Sequence, residues 1–198
     1  MNEELFPFIL EVEDQRDWQR KPGCFRNPFS CFFCHLLNIL EAKVILDLTY
    51  GRGLFYEKCP SLDITGVDIV KWDWVVEPRQ FYKMDALAFI EGFNGRADAI
   101  VLDPPYPVKP TGRRSDMLYF GDMPIHVIER IIKVGRVKAR YVILKYMPAN
   151  NEEYVRLLSL NPAYVITWRF IVTHILNNSN KIIKNSTKIL IYTGGWRE

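Results

Sequence analysis

The sequence is short of several things, and each shortage excludes a class of protein. Apolar runs are brief: Ile39-Leu40 and Val44-Ile45-Leu46 are typical, far below the roughly 20 residues that a bilayer span needs. No membrane association is expected. The start, Met1-Asn2-Glu3-Glu4, lacks the basic opening of a secretory signal. Neither sign of charge dominates: 26 Lys and Arg against 23 Asp and Glu leave a net +3, which tolerates a nucleic-acid partner without requiring one. Cysteine is scarce, at four residues: Cys24, Cys31, Cys34 and Cys59. Cys31-x-x-Cys34-His35 has the look of half a zinc site, but no second ligand pair follows at regular spacing. The surrounding Phe29 to Leu37 reads as a buried helix in which cysteine acts as a small apolar residue. No metal is expected, and the chain is expected to be reduced and cytoplasmic. His35, His126 and His174 have no neighbours that suggest a proton relay, and a structural role is expected for each.

What is present is ordinary globular material. Of 198 residues, 48% are hydrophobic and 25% charged, which sets aside disordered and fibrous readings and suits one domain. Residues 1–40 are expected to form an N-terminal arm and helix packed on a core domain of residues 41–198. Glu4 to Arg20 is charged and aromatic-rich, Pro22-Gly23 breaks it, and Asn27-Pro28 opens a helix to about Leu40, with Pro28 suited to the first turn. From Val44 onwards short apolar runs alternate with helical patterns. Strands are expected at Val44 to Leu48, Ile64 to Val67, Phe81 to Met84, Ala99 to Leu102 and Tyr141 to Tyr146. Helices are expected at Leu54 to Lys58, Ala86 to Phe93, Pro124 to Val134 and Glu152 to Leu160. Such alternation specifies a parallel α/β sheet. Tyr164 to Ile175 and Thr187 to Thr193 are strand-like, with only a polar stretch, Asn177 to Ser186, between them. No crossover helix fits there, so an antiparallel hairpin is expected.

Four acids, Asp47, Asp68, Asp85 and Asp103, stand at the carboxyl ends of expected strands, where open parallel sheets bind their ligands. The alternative for any one of them is a helix N-cap. Asp47-Leu48-Thr49-Tyr50-Gly51-Arg52-Gly53 is a strand followed by a turn with two glycines, which let backbone approach a ligand closely. A dinucleotide-binding fingerprint would need a third glycine, yet position 56 is Tyr56. An acid before the turn suits a cationic ligand better than a phosphate. Asp68 lies 21 residues after Asp47, a spacing suited to an acid that accepts from ribose hydroxyls.

With these residues in place, the chain resembles the class I S-adenosylmethionine-dependent methyltransferases, in particular the amino-methyltransferases acting on nucleic acid. The matching stretch runs from about Val44 to Tyr106. The family's D-x-x-x-G-x-G is met by Asp47, Gly51 and Gly53, with Thr49 where many members have glycine. Its specific signature is met by Asp103-Pro104-Pro105-Tyr106. The resemblance implies a Rossmann-like seven-stranded sheet, mostly parallel, with a C-terminal antiparallel hairpin and helices on both faces. It implies S-adenosylmethionine as cofactor, held by Asp47, Thr49, Tyr50, Gly51, Gly53, Asp68 and Ile69, by Asp85 and Ala86 at the adenine, and by Asp103. Asn27 and Pro28 would cover the methionine end, with core packing as the alternative. An exocyclic amine conjugated with its ring is a poor nucleophile. Acceptors on its N–H groups, from the Asp103 carboxylate and the Pro104 carbonyl, free the lone pair for in-line attack. Two prolines keep that carbonyl in an extended backbone, and Tyr106 offers a ring to a base that has left its helix.

Residues 107–122 read as a substrate loop in which Lys109, Arg113 and Arg114 meet phosphates, or else as an ordinary exposed loop. The implied target is adenine in DNA or RNA, or guanine in ribosomal or transfer RNA. The chain's length leaves little for target recognition, so a partner protein or dimer is a further expectation. A non-catalytic RNA-binding or partner subunit of the same fold is the competing class, and a protein-glutamine methyltransferase is disfavoured by Asp at position 103.

Overall fold

The computed structural model describes residues 9–59, 61–105, 123–147, 151–176 and 179–195. Eight strands form one sheet in the order β1-β7-β8-β6-β5-β2-β3-β4. Five are the expected parallel strands: β2 (Val44–Asp47), β3 (Asp63–Asp68), β4 (Gln80–Lys83), β5 (Ala97–Leu102) and β6 (Ala139–Tyr146). Along β5 the side chains alternate: Ile100 and Leu102 enter one core, Ala99 and Val101 the other. A central strand covered on both faces has to be apolar throughout, which is why these runs do not alternate with polar residues.

Two features depart from expectation. The sheet has eight strands instead of seven, because β1 (Ile9–Asp14) pairs in parallel with β7 (Tyr164–Leu176), Ile9 opposite Tyr164. Three of its six residues are acidic, so its sequence reads as a charged arm. The outer edge of β7 supplies the backbone partners that make it a strand. The hairpin is also longer than expected. β8 (Ser179–Thr193) pairs with β7 from Leu176 opposite Ser179 to Tyr164 opposite Ile191. The polar stretch from Ser179 onwards is therefore strand, since ladder bonds join backbones and tolerate Asn, Lys and Ser at these positions.

The helices flank the sheet on both faces. α3 (Ala86–Gly92), α4 (Ile125–Gly135) and α5 (Asn151–Leu158) bury Ile90, Ile128, Ile131, Ile132 and Leu157 in an aliphatic core. On the other face α1 (Gln15–Gln19) and α2 (Pro28–Ile39) contribute Trp18, Phe32, Phe33, Leu36 and Leu37 to an aromatic core with Tyr50, Tyr56 and Trp168. The helix expected over Leu54 to Lys58 is a single 3-10 turn, Leu54–Tyr56.

The expectation of reduced cysteines is overturned: Cys24 pairs with Cys31, and Cys34 with Cys59. The α2 assignment is right, but two of its cysteines bond outward, to the preceding loop and to the segment after the 3-10 turn. Closing the 25-residue loop between Cys34 and Cys59 is worth about 3 kcal/mol in chain entropy. No described helix is long and apolar enough to cross a membrane.

Candidate active site

Strand order reverses between β2 and β5: the chain steps from β2 to β3 and β4 on one side, then from β5 to β6 on the other. At such a reversal the loops beyond the strand ends diverge and leave a crevice. Asp47 ends β2, Asp68 ends β3 and Asp103 follows β5. Leu48 donates its N–H to the Val101 carbonyl at 3.0 Å, and the Asp103 N–H donates to Thr49 Oγ1 at 2.6 Å. Thr49, where glycine is common in the resembling family, thus fastens the glycine turn to the tetrapeptide.

Asp47 is only 3% exposed. Its carboxylate accepts from Tyr56 Oη at 2.7 Å and from the Thr49 N–H at 2.9 Å. Burial pushes its pKa up to about 7; those two bonds oppose the shift, and the Asp103 and Asp68 carboxylates add to it. Asp47 therefore lies close enough to both other strand-end carboxylates to feel their charge. Asp68 accepts from the backbone N–H of Gly51 at 2.9 Å and of Val70 at 3.0 Å, which sets it against the glycine turn. Gly51 and Gly53 have φ of +56° and +73°, and a Cβ on Gly53 would stand 2.6 Å from the Val76 carbonyl. The turn therefore demands glycine.

Other expected cofactor residues stand differently. Asp85 lies beyond β4 and its Oδ1 accepts from the Ala88 N–H at 2.9 Å, capping α3. Ala86 is buried in the aliphatic core, while Ile69 is 49% exposed beside Asp68. Tyr50 is buried, with its hydroxyl on the Val76 carbonyl at 2.8 Å. Asn27 caps α2 through the Ser30 N–H at 3.1 Å and donates to the Leu54 carbonyl and to Glu57, while Pro28 fills the first turn. The segment is a helix cap that braces the 3-10 turn following the glycines. Pro104 is buried and Pro105 half-buried. Tyr106, Lys109, Arg113 and Arg114 lie outside the described residues.

Sequence reasoning missed Lys145. Leu102 pairs with Leu144 in register, so the next residues, Asp103 and Lys145, lie side by side. Lys145 Nζ donates to Asp103 Oδ1 at 2.9 Å and Oδ2 at 3.0 Å. The ammonium also lies 5.5 Å from the Phe29 ring centroid and 5.3 Å from that of Phe55. Its signal in the sequence is a charge directly after the apolar run Val142-Ile143-Leu144. Among the described residues, no lysine or arginine pairs with Asp47, Asp68 or Asp85. That side of the crevice is negative and fits a cation. Nor do the described residues hold a cluster of metal-binding side chains.

No protein-family model matches the sequence, and no curated protein does. Solved structures do. A Pyrococcus horikoshii protein proposed to be an RNA methyltransferase superposes with a TM-score of 0.54 at 16% identity, over 88% of this chain and 85% of its own. An S-adenosylmethionine-dependent methyltransferase of Agrobacterium tumefaciens gives 0.52 at 15% identity, over 87% of this chain and 62% of its own. A domain of a Corynebacterium diphtheriae protein proposed to be a precorrin-6Y C5,15-methyltransferase gives 0.54 at 9% identity, over 87% and 99%. The chain thus has the class I methyltransferase fold: a Rossmann-like, mostly parallel sheet with a C-terminal antiparallel hairpin. Substrates as unlike as RNA and a corrin precursor occur among its neighbours, so the fold does not select one.

Proposed function

We propose that this protein transfers a methyl group from S-adenosylmethionine to an exocyclic amino group of a nucleic-acid base. The observation that carries the reading is Asp103, fixed at the mouth of an acid-lined crevice and followed by two prolines. Asp68, Gly51, Gly53 and Ile69 would hold the cofactor's nucleoside half. The negative side of the crevice, with Asp47 at its base, would face its cationic end. Bound there, the cofactor supplies an electrophilic methyl on a sulfonium.

The chain's own residues then have positional tasks. Asp103 accepts one N–H of the target amine and the Pro104 carbonyl the other, which turns the nitrogen lone pair out of conjugation and toward the methyl. The new N–C bond would form at the expense of the cofactor's C–S bond. The nitrogen would then shed one proton to solvent. Tyr106 would stack on the extruded base, and Lys109, Arg113 and Arg114 would meet its phosphates. A nucleic-acid substrate would place the protein inside the cell, where paired cysteines are unusual outside hyperthermophiles.

The test is incubation with methyl-tritiated cofactor and separate pools of RNA, DNA, protein and small-molecule extract, followed by nucleoside analysis of the labelled fraction. Label is expected on N6-methyladenine or a guanine N2-methyl product. Label confined to protein or to small molecules would refute the base-amine reading.

A further inference from the structure

We propose that Lys145 is the positioning residue of the transfer site: it clasps both oxygens of Asp103, fixing the plane of the carboxylate and cancelling its charge. This rests on the proposed function and deepens it. A carboxylate needed only as an acceptor toward a neutral amine gains nothing from being a bare anion. Beside a sulfonium, a bare anion at position 103 would hold the cofactor in its ground state, and ground-state attraction does not speed transfer. Lys145 removes that attraction. The ammonium takes two of the roughly four acceptor positions of the carboxylate, one on each oxygen, and sets the direction of the others.

The placement is built into the fold. Lys145, in β6, and Asp103, directly after β5, stand one step past the Leu102–Leu144 pair. The Asp103 N–H is held by Thr49. The rings of Phe29 and Phe55 flank the ammonium and satisfy it through their faces. Side-chain exposure is 16% for Lys145 and 23% for Asp103, so water screens the pair little. Phe29 belongs to α2 and Phe55 to the 3-10 turn, so the wall that seats Lys145 is the one tied by Cys34 and Cys59.

The test compares dissociation constants for S-adenosylmethionine and S-adenosylhomocysteine, the same molecule without its methyl and its sulfonium charge. Calorimetry would be run on wild type, Lys145→Met, Lys145→Arg and Asp103→Asn. Lys145→Met keeps the apolar stem and removes the charge. It is expected to shift preference toward the charged ligand by about fivefold, the scale of a partly screened unit charge. Asp103→Asn is expected to shift it the opposite way by a similar factor, and Lys145→Arg to leave it within about twofold. Single-turnover transfer to the labelled pool is expected to fall about 10- to 100-fold in Lys145→Met with little change in KM, and to recover in part in Lys145→Arg.

A purely structural role predicts equal weakening of both ligands. That result, or an unchanged preference in a folded Lys145→Met protein, overturns the proposal. Should Lys145→Met not fold, an unchanged preference in Asp103→Asn overturns it equally. Wild type that binds both ligands yet labels no nucleic acid would remove the base-amine reading and leave the preference test standing. Wild type that binds neither would remove both.

Discussion

Strands β5 and β6 carry two acid–base rungs, one at each end, and the two are put to different uses. At the amino end Asp98 pairs with Arg140 at 3.1 Å, next to the Ala97–Ala139 pair. Five residues further along both strands, Asp103 pairs with Lys145. Asp98 also accepts the backbone N–H groups of Lys43 and Val44, each at 2.8 Å, and so ties β2 to β5. Burial alone would raise its pKa, but those two bonds and Arg140 outweigh burial and hold it below the ordinary carboxylate value. At the carboxyl end a further carboxylate, Asp47, is pushed up by burial instead. The same residue type on the same sheet is a fastener at one end and, at the other, a buried acid held toward its neutral form beside a lysine-paired one.

The largest expected effect separates the two rungs by function. Asp103→Ala should lower methyl transfer by about 10³-fold, roughly 4 kcal/mol, and leave cofactor affinity within severalfold. Loss of affinity on that scale would put Asp103 in cofactor binding instead.

Next is the opposite pH sign of the two ends. Asp47 has a folded pKa raised from 3.8 to about 7, so the folded state binds its proton more tightly. Its contribution is fully present below about pH 4 and is lost as pH rises through 7, a change of up to about 4 kcal/mol. Denaturant unfolding of Asp47→Asn should lack this decline, while Asp98, whose pKa is depressed, adds stability that is lost only on acidification. Parallel profiles for wild type and Asp47→Asn between pH 4 and 7 would show that Asp47 does not titrate there.

Asp68→Ala should weaken S-adenosylmethionine about 10- to 100-fold by calorimetry, with the homocysteine product weakened too, since the ribose is common to both. An unchanged constant would take Asp68 out of the site. The smallest effect belongs to the fastener. Asp98→Ala leaves two strand-end N–H groups without their acceptor and Arg140 with only the Glu41 carbonyl, at a cost of about 2 kcal/mol in unfolding free energy. It should not alter cofactor affinity, and an effect there would mean that the two ends are coupled.

Much of this was legible in the sequence because it depends on local pattern. β2, β3, β5 and β6 follow from short, largely apolar runs too short for helices. The placement of Asp47, Asp68 and Asp103 follows from their position after those runs, and the glycine turn from two glycines that adopt positive φ. What was illegible depends on neighbours distant in the chain. β1 is a strand because β7 offers an edge. The polar start of β8 is a strand because β7 continues opposite it. Asp85, read as an adenine acceptor, caps α3, and the sequence is compatible with either. The cysteines 25 residues apart meet only because α2 packs beside the 3-10 turn.

By itself, then, the sequence determined the layer architecture, the glycine turn and the strand-end placement of Asp47, Asp68 and Asp103, because periodicity and strand-end position are properties of consecutive residues. Only the tertiary structure decided which charge meets which. Lys145 stands 42 residues from Asp103 along the chain, and the register of β5 against β6, a property of the folded sheet, brings the two within hydrogen-bonding distance.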